Sequence, residues 1–175
     1  LRNSSTIPNI LNKGDTFVKV SNLRRLIREV LEPKGLYSPP AEELLVLTAA
    51  AESLGGAYLY QVKGPARGIF QMEPATERDI LSNYVRYKTN LRDVLKQFIQ
   101  FNADGTWAYR INDPLTYSLE YQVVMARIHY LRDKFIIPPH TDVEGLASYW
   151  KRVYNTYLGK GTVAGATKKY LEYVG

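Results

Sequence analysis

The segment Leu44-Leu45-Val46-Leu47-Thr48-Ala49-Ala50-Ala51-Glu52-Ser53 constrains the fold more than any other part of the chain. It is apolar on nearly every side. A helix without a polar face is normally buried in the middle of a domain. The preceding Ser38-Pro39-Pro40-Ala41-Glu42-Glu43 reads as its start, because proline suits the first turn and early acids suit the positive helix end. Gly55-Gly56 ends it. At eight residues, the apolar run Leu44–Ala51 is too short to span a bilayer and follows two glutamates, so no membrane span is expected.

Around this element the pattern is mainly helical. Leu23, Leu26, Ile27, Val30 and Leu31 follow amphipathic spacing, with Ser21 or Asn22 as cap and Pro33 and Gly35 as stop. Further helices are expected near 76–88, 90–101, 115–134, 142–157 and 162–173, with Asn102–Gly105 as a turn and Ile137–His140 as a loop. Between Gly56 and Pro74, the β-prone pieces Tyr58–Val62 and Ile69–Met72 are separated by glycines and Pro65, which predicts a small β-hairpin or irregular lobe. The expected fold class is therefore mainly α with a minor β element, in the α+β sense. Residues 1–37 read as an N-terminal arm, extended to about Ser21, plus a short helix; residues 38–175 read as the main domain. A chain of 175 residues fits this organisation.

Composition narrows the function classes. With 45% hydrophobic and 23% charged residues, charge-dominated disorder is not expected. Cysteine is absent, which excludes disulfides and thiolate metal sites but leaves the compartment open. His129 and His140 are single and separated, so neither a metal site nor a cofactor is expected. The net charge of +6 suits an anionic partner or a merely soluble surface. A nucleic-acid partner is not expected, since charge alone favours it and no binding motif accompanies it. The start shows no signal-peptide pattern, and Leu1 in place of Met suggests a mature product or an excised domain.

Glu52 stands out on chemical grounds. One turn back lie Thr48 and Ala49, and two turns back Leu45, so its own face is apolar or small. Lost hydration favours the protonated carboxyl, and the negative helix end pushes the same way. Such an acid can donate a proton to a leaving oxygen near neutral pH. The alternative is a helix-end glutamate that simply reaches solvent. Nineteen residues on stands Gln71, inside Ala66-Arg67-Gly68-Ile69-Phe70-Gln71-Met72-Glu73-Pro74-Ala75-Thr76. Gly68 permits a tight backbone or close ligand approach. An amide beside an aromatic suits a sugar, although Gln71 also reads as an ordinary loop amide.

Together, Glu52-Ser53 and the stretch 66–76 resemble the soluble lytic transglycosylases and their goose-type lysozyme relatives, most closely the phage-encoded versions. That family carries Glu-Ser at a helix end and, roughly twenty residues later, Gly-Ala-x-Gly-Leu-Met-Gln-x-x-Pro-x-Thr. Two further segments follow in the family's order: Asp113-Pro114 leading to His129-Tyr130-Leu131, and Val153-Tyr154-Asn155-Thr156 followed by Gly159-Lys160-Gly161. The likeness runs from about residue 41 to 174. Pro65 replaces the first glycine, Glu73 stands where an apolar residue is common, and Thr156-Tyr157 replaces Ala-Gly.

The resemblance implies a lysozyme-like fold and cleavage of the β-1,4 bond between N-acetylmuramic acid and N-acetylglucosamine, with bacterial peptidoglycan as partner. It implies Glu52 as the single catalytic acid and base, giving 1,6-anhydro ends. Gln71 and Tyr154 would hold an acetamido group or orient the acid. Ser53 would position Glu52, contact substrate, or bond backbone. Asn155 would brace its turn. Glu73 would be a second carboxylate only in an inverting hydrolase. Tyr58, Tyr60, Phe70 and Tyr149 lie nearest the motifs and are the candidate sugar-stacking residues, while Lys151-Arg152 and Lys168-Lys169 are expected to face solvent. The expected setting is a phage virion, or the bacterial periplasm or wall. A muramidase on the same fold and a glycan-binding structural component of a phage particle are the alternatives.

Overall fold

Almost every side chain of the central helix is covered, and the rest of the fold is arranged to cover it. The computed structural model describes residues 18–175. The expected arm therefore lies, up to residue 17, outside the described residues. The helices are α1 (Val20–Leu31), α2 (Pro39–Ser53), α3 (Pro74–Asn83), α4 (Thr89–Leu95), α5 (Pro114–Tyr117), α6 (Leu119–Leu131), α7 (Val143–Trp150) and α8 (Val163–Val174). Two strands, β1 (Ile99–Phe101) and β2 (Trp107–Arg110), lie between α4 and α5 and form an antiparallel pair. Short 3-10 turns occupy Glu32–Lys34 and Val85–Tyr87, and a π-helical stretch, Lys151–Asn155, continues α7. The described chain is thus mainly helical with one small antiparallel sheet. None of its helices is long and apolar enough to cross a membrane.

Ser38 caps α2 by accepting from the Ala41 N–H (3.2 Å), with Pro39 and Pro40 in the first turn. From Ala41 onward every residue of α2 is buried except Glu52. α1, α6, α7 and α8 pack around it. Leu23, Ile27 and Leu31 of α1 and Val123, Val124 and Ile128 of α6 are wholly buried in the same core. This burial is what drives the helices together, at about 25 cal/mol for each Å² of apolar surface removed from water. The boundary expected at residues 37 and 38 does not separate two packing units. α1 belongs to the core because its apolar stripe has α2 and α6 to cover it.

The two buried acids near the start of α2 are compensated. Arg28 bonds both oxygens of Glu42 (2.6 and 2.8 Å), and the Tyr37 hydroxyl adds a third bond (2.9 Å). Arg24 clasps Glu43 with two bonds (2.6 and 2.7 Å), and the Tyr170 hydroxyl donates to the same carboxylate. The ion pairs from α1 and the tyrosine hydrogen bond from α8 fix both helices in register on α2, since removing an arginine would leave a charge buried and unpaired.

Several expected spans are corrected. The helix expected at 90–101 stops at Leu95, and its last residues form β1. The turn expected at Asn102–Gly105 joins the two strands, with Gly105 at φ +82° beneath the Arg86 carbonyl, where a Cβ would collide. The helix expected at 115–134 is broken at Ser118, whose side chain caps α6 by accepting from the Tyr121 N–H (3.2 Å). The region 56–74 is the irregular lobe rather than a hairpin, with only isolated bridges pairing Tyr60 with Arg67 and Arg67 with Met72.

Candidate active site

The end of α2 is built to hold a carboxyl away from bulk water. Leu54 turns the chain into the left-handed region (φ 54°), and the Leu54 and Gly55 N–H groups cap the Ala50 and Ala49 carbonyls. Gly55 follows at φ +73°, where a Cβ would strike the Tyr173 ring. Ser53 is buried and ties this end to the loop beyond: its hydroxyl donates to the Ile69 carbonyl (2.6 Å) and accepts from the Gly56 N–H (2.8 Å). Of the roles open to Ser53, the structure shows the backbone bonding.

Glu52 accepts a hydrogen bond from the indole N–H of Trp150, at 3.0 Å on its Oε1. Burial pushes its carboxyl up to about 7; the Trp150 bond, the charge of Lys169, the Asn155 side chain and the charge of Lys151 pull more weakly in the other direction. Lys169 donates to the Ala51 carbonyl (2.9 Å), and Lys151 donates to Asn155 Oδ1, the Thr156 carbonyl and the Gly159 carbonyl (2.6–2.9 Å). Lys169 is exposed, as expected, and also bonds backbone, whereas Lys151 is half-buried rather than solvent-facing. Each lysine anchors backbone beside the acid, because the helix end and the π-helical stretch expose carbonyls that need donors. A carboxyl titrating near 7 can give up and take back a proton in the same pH range.

The π-helical stretch carries Tyr154 and Asn155 toward this acid. Such stretches are rare and often mark functional positions. The Tyr154 hydroxyl donates to the Phe70 carbonyl (2.8 Å), so the loop 68–71 is held from two sides, by Ser53 and by Tyr154. Burial, with the nearby negative charge of Glu52, raises the Tyr154 phenol well above its ordinary value, so the phenol stays protonated and remains a donor. His129 supports Tyr154 edge-on, with ring centroids 4.7 Å apart. Its Nε2 bonds the Val153 carbonyl (3.1 Å) and Arg132 donates to its Nδ1 (3.2 Å). Burial, then the Arg132 charge, lowers His129 to about 4, so it is neutral near pH 7.

Gln71 is half-buried in the left-handed region (φ 47°), and its amide NH2 donates to the Gly68 and Tyr58 carbonyls (2.8 and 3.2 Å). Its oxygen accepts no hydrogen bond among the described residues. Gly68 is required at its own position: at φ +76° a Cβ would strike the Gln122 side chain, whose Oε1 accepts from the Ile69 N–H (2.9 Å).

Two expected stacking residues are corrected. The Phe70 ring is wholly buried in the core and offers no face to a sugar; only its carbonyl takes part in the site. Tyr149 is buried as well, with its hydroxyl on the Phe135 carbonyl (3.1 Å) and the Arg152 guanidinium 5.0 Å from its ring centre. Tyr58 and Tyr60 are exposed. Glu73 is exposed just before α3 and its carboxylate makes no hydrogen bond among the described residues, so it is not gathered with the others.

Trp150 escaped the sequence reading. So did Glu77, a buried acid that accepts from Tyr121 (2.7 Å) and Arg110 (3.0 Å). Its burial raises its carboxyl, but Arg110 and Tyr121 occupy its oxygens. Among the described residues no group of three or more His, Asp or Glu is placed to hold a metal ion. Neither the hollow between α7 and α8 nor the groove beside Arg127 includes Glu52 in its wall.

No protein-family model, curated protein or solved structure matches the chain.

Proposed function

We propose that this protein is a lytic transglycosylase of lysozyme-like type that cleaves peptidoglycan, with Glu52 as general acid and base. The observation that carries this reading is the state of Glu52: one desolvated carboxyl held near 7 by burial and bonded by the uncharged Trp150 indole. Two-carboxylate glycosidases need a second acid flanking the bond, whereas substrate-assisted enzymes are among the exceptions. The neighbouring acids suit the exception. Glu73 is exposed, and Glu77 is committed to Arg110 and Tyr121.

In the proposed reaction protonated Glu52 gives its proton to the glycosidic oxygen as that bond breaks. The substrate's acetamido oxygen stabilises the forming cation. Glu52, now a carboxylate, removes the proton from the muramic 6-hydroxyl as that oxygen closes on the anomeric carbon. The acid is regenerated and no water is consumed. Gln71 keeps its amide oxygen free to accept from an acetamido N–H, and Tyr154 holds the loop that presents it. Trp150 orients Glu52. The partner is bacterial peptidoglycan, met from a phage virion or in the periplasm or wall.

Mass spectrometry of fragments released from purified peptidoglycan tests the reading, with Glu52→Gln run alongside. Anhydro fragments, one water lighter than reducing muropeptides and absent from the variant, are expected. Reducing ends would make the protein a muramidase and bring Glu73 into the mechanism. Binding without release by the folded wild type would make it a glycan-binding component.

A further inference from the structure

A groove of about 280 Å³ lies on the side of α6 that carries Arg127. Pro40, Tyr130, Phe135, Ile137 and Tyr149 give it apolar walls, and Ile136 at its edge is 93% exposed.

The polar groups of the wall are nearly all taken. The Tyr130 hydroxyl shares a hydrogen bond with Thr48 Oγ1 (2.7 Å), and the Tyr149 hydroxyl is on the Phe135 carbonyl. Ser38 Oγ accepts from Ala41, and Asp133 is held by both terminal nitrogens of Arg152 (3.0 and 2.8 Å). Arg127 is the exception. Its Nε donates to the Leu36 carbonyl (2.8 Å), which leaves its two terminal nitrogens without a partner among the described residues. The guanidinium is half-buried, and Asp133, the acid that lines the groove, is already paired with Arg152. Burial lowers its pKa somewhat, yet an arginine stays charged. The groove therefore presents one uncompensated positive fork above an apolar floor.

We propose that this groove is a second binding site, which takes an apolar carboxylate: a short aliphatic chain or peptide end whose carboxylate meets the Arg127 guanidinium while its hydrocarbon part covers Phe135, Ile136 and Ile137. The geometry of a guanidinium fork matches the two oxygens of a carboxylate. The walls reward an apolar body behind that head, which distinguishes this ligand from a small hydrated anion. The site stands independently of the reaction at Glu52.

Isoleucine-methyl NMR of the full chain tests it. The probes are hexanoate and N-acetyl-alanyl-alanine, each beside its neutral amide, with inorganic phosphate as a plain anion. The Ile136 and Ile137 methyl signals are expected to shift saturably with a carboxylate, with its amide about tenfold weaker or worse, as suits the loss of one charge-assisted bond. The tighter of the two carboxylates identifies the source, free aliphatic acid or peptide end. Arg127→Gln should weaken the carboxylate by the same factor without moving the amide. Should that variant fail to fold, the comparison of acid and amide in the wild type decides alone. Equal shifts from acid and amide, a response to phosphate alone, or no saturable shift would overturn the proposal.

Discussion

Trp150 donates its indole N–H to Glu52 across a separation of 98 residues, joining the end of α7 to the end of α2. The bond is neutral-to-acid rather than cation-to-acid. It orients the carboxyl without forcing its ionisation, and burial is left to set the protonation state.

Glu52→Gln keeps the shape of the side chain and an oxygen for Trp150 to bond. Release of glycan fragments should fall by about a thousandfold or more, because a general acid alone contributes roughly 10²–10⁴ and here it serves twice. Circular dichroism should show the wild-type helix content.

The same substitution should change how stability depends on pH. The folded-state pKa of Glu52 is raised from 4.5 to about 7, so between those values the folded protein holds a proton that the unfolded chain has lost. Stability from this group is intact below 4.5 and declines as pH rises through 7, by on the order of 3 kcal/mol in full. Urea unfolding at a series of pH values should show this decline in the wild type and a flatter profile in Glu52→Gln. An equal decline in both proteins would assign it to other groups.

Trp150→Phe removes a donor that pulls the Glu52 pKa down. The alkaline limb of the pH–rate profile should move to higher pH while kcat/KM falls. The smaller ring also leaves space in the core, at a cost of about 1–3 kcal/mol in stability. A limb that moved to lower pH would mean that water had entered and rehydrated the acid.

Ser53→Ala and Tyr154→Phe each cut one tether of the loop 68–71. Ser53→Ala strands the buried Ile69 carbonyl and Gly56 N–H, and Tyr154→Phe strands the Phe70 carbonyl. Each should cost about 1–3 kcal/mol by denaturant unfolding. If the tethers act through one loop, the double variant should cost less than the sum, since coupled sites are non-additive.

Much of the frame was legible in the sequence because its signals were local. The central helix announced itself through an apolar run without a polar face, and α1 through its stripe from Leu23 to Leu31. Glu52 was legible because it ends an apolar helix, a position readable from the sequence next to it, although the groups that bond it come from elsewhere in the chain. The hairpin was missed because its strands are three and four residues long, and Lys96–Phe101 continues the spacing of the preceding helix. Phe70 and Tyr149 were misread for another reason. Proximity in sequence to a motif does not fix which way a ring points, and both rings found core to fill. Trp150 is a tertiary contact, and no nearby spacing encodes it.

The chain has two tryptophans. The other, Trp107, bonds Ser82 Oγ (3.1 Å) away from the acid, so replacing it with phenylalanine leaves Trp150 as the only indole. Indole emission is sensitive to whether the neighbouring carboxyl is protonated. The contact that orients Glu52 is therefore also an optical reporter, through which the proton on the acid can be followed by fluorescence in solution without substrate or added dye.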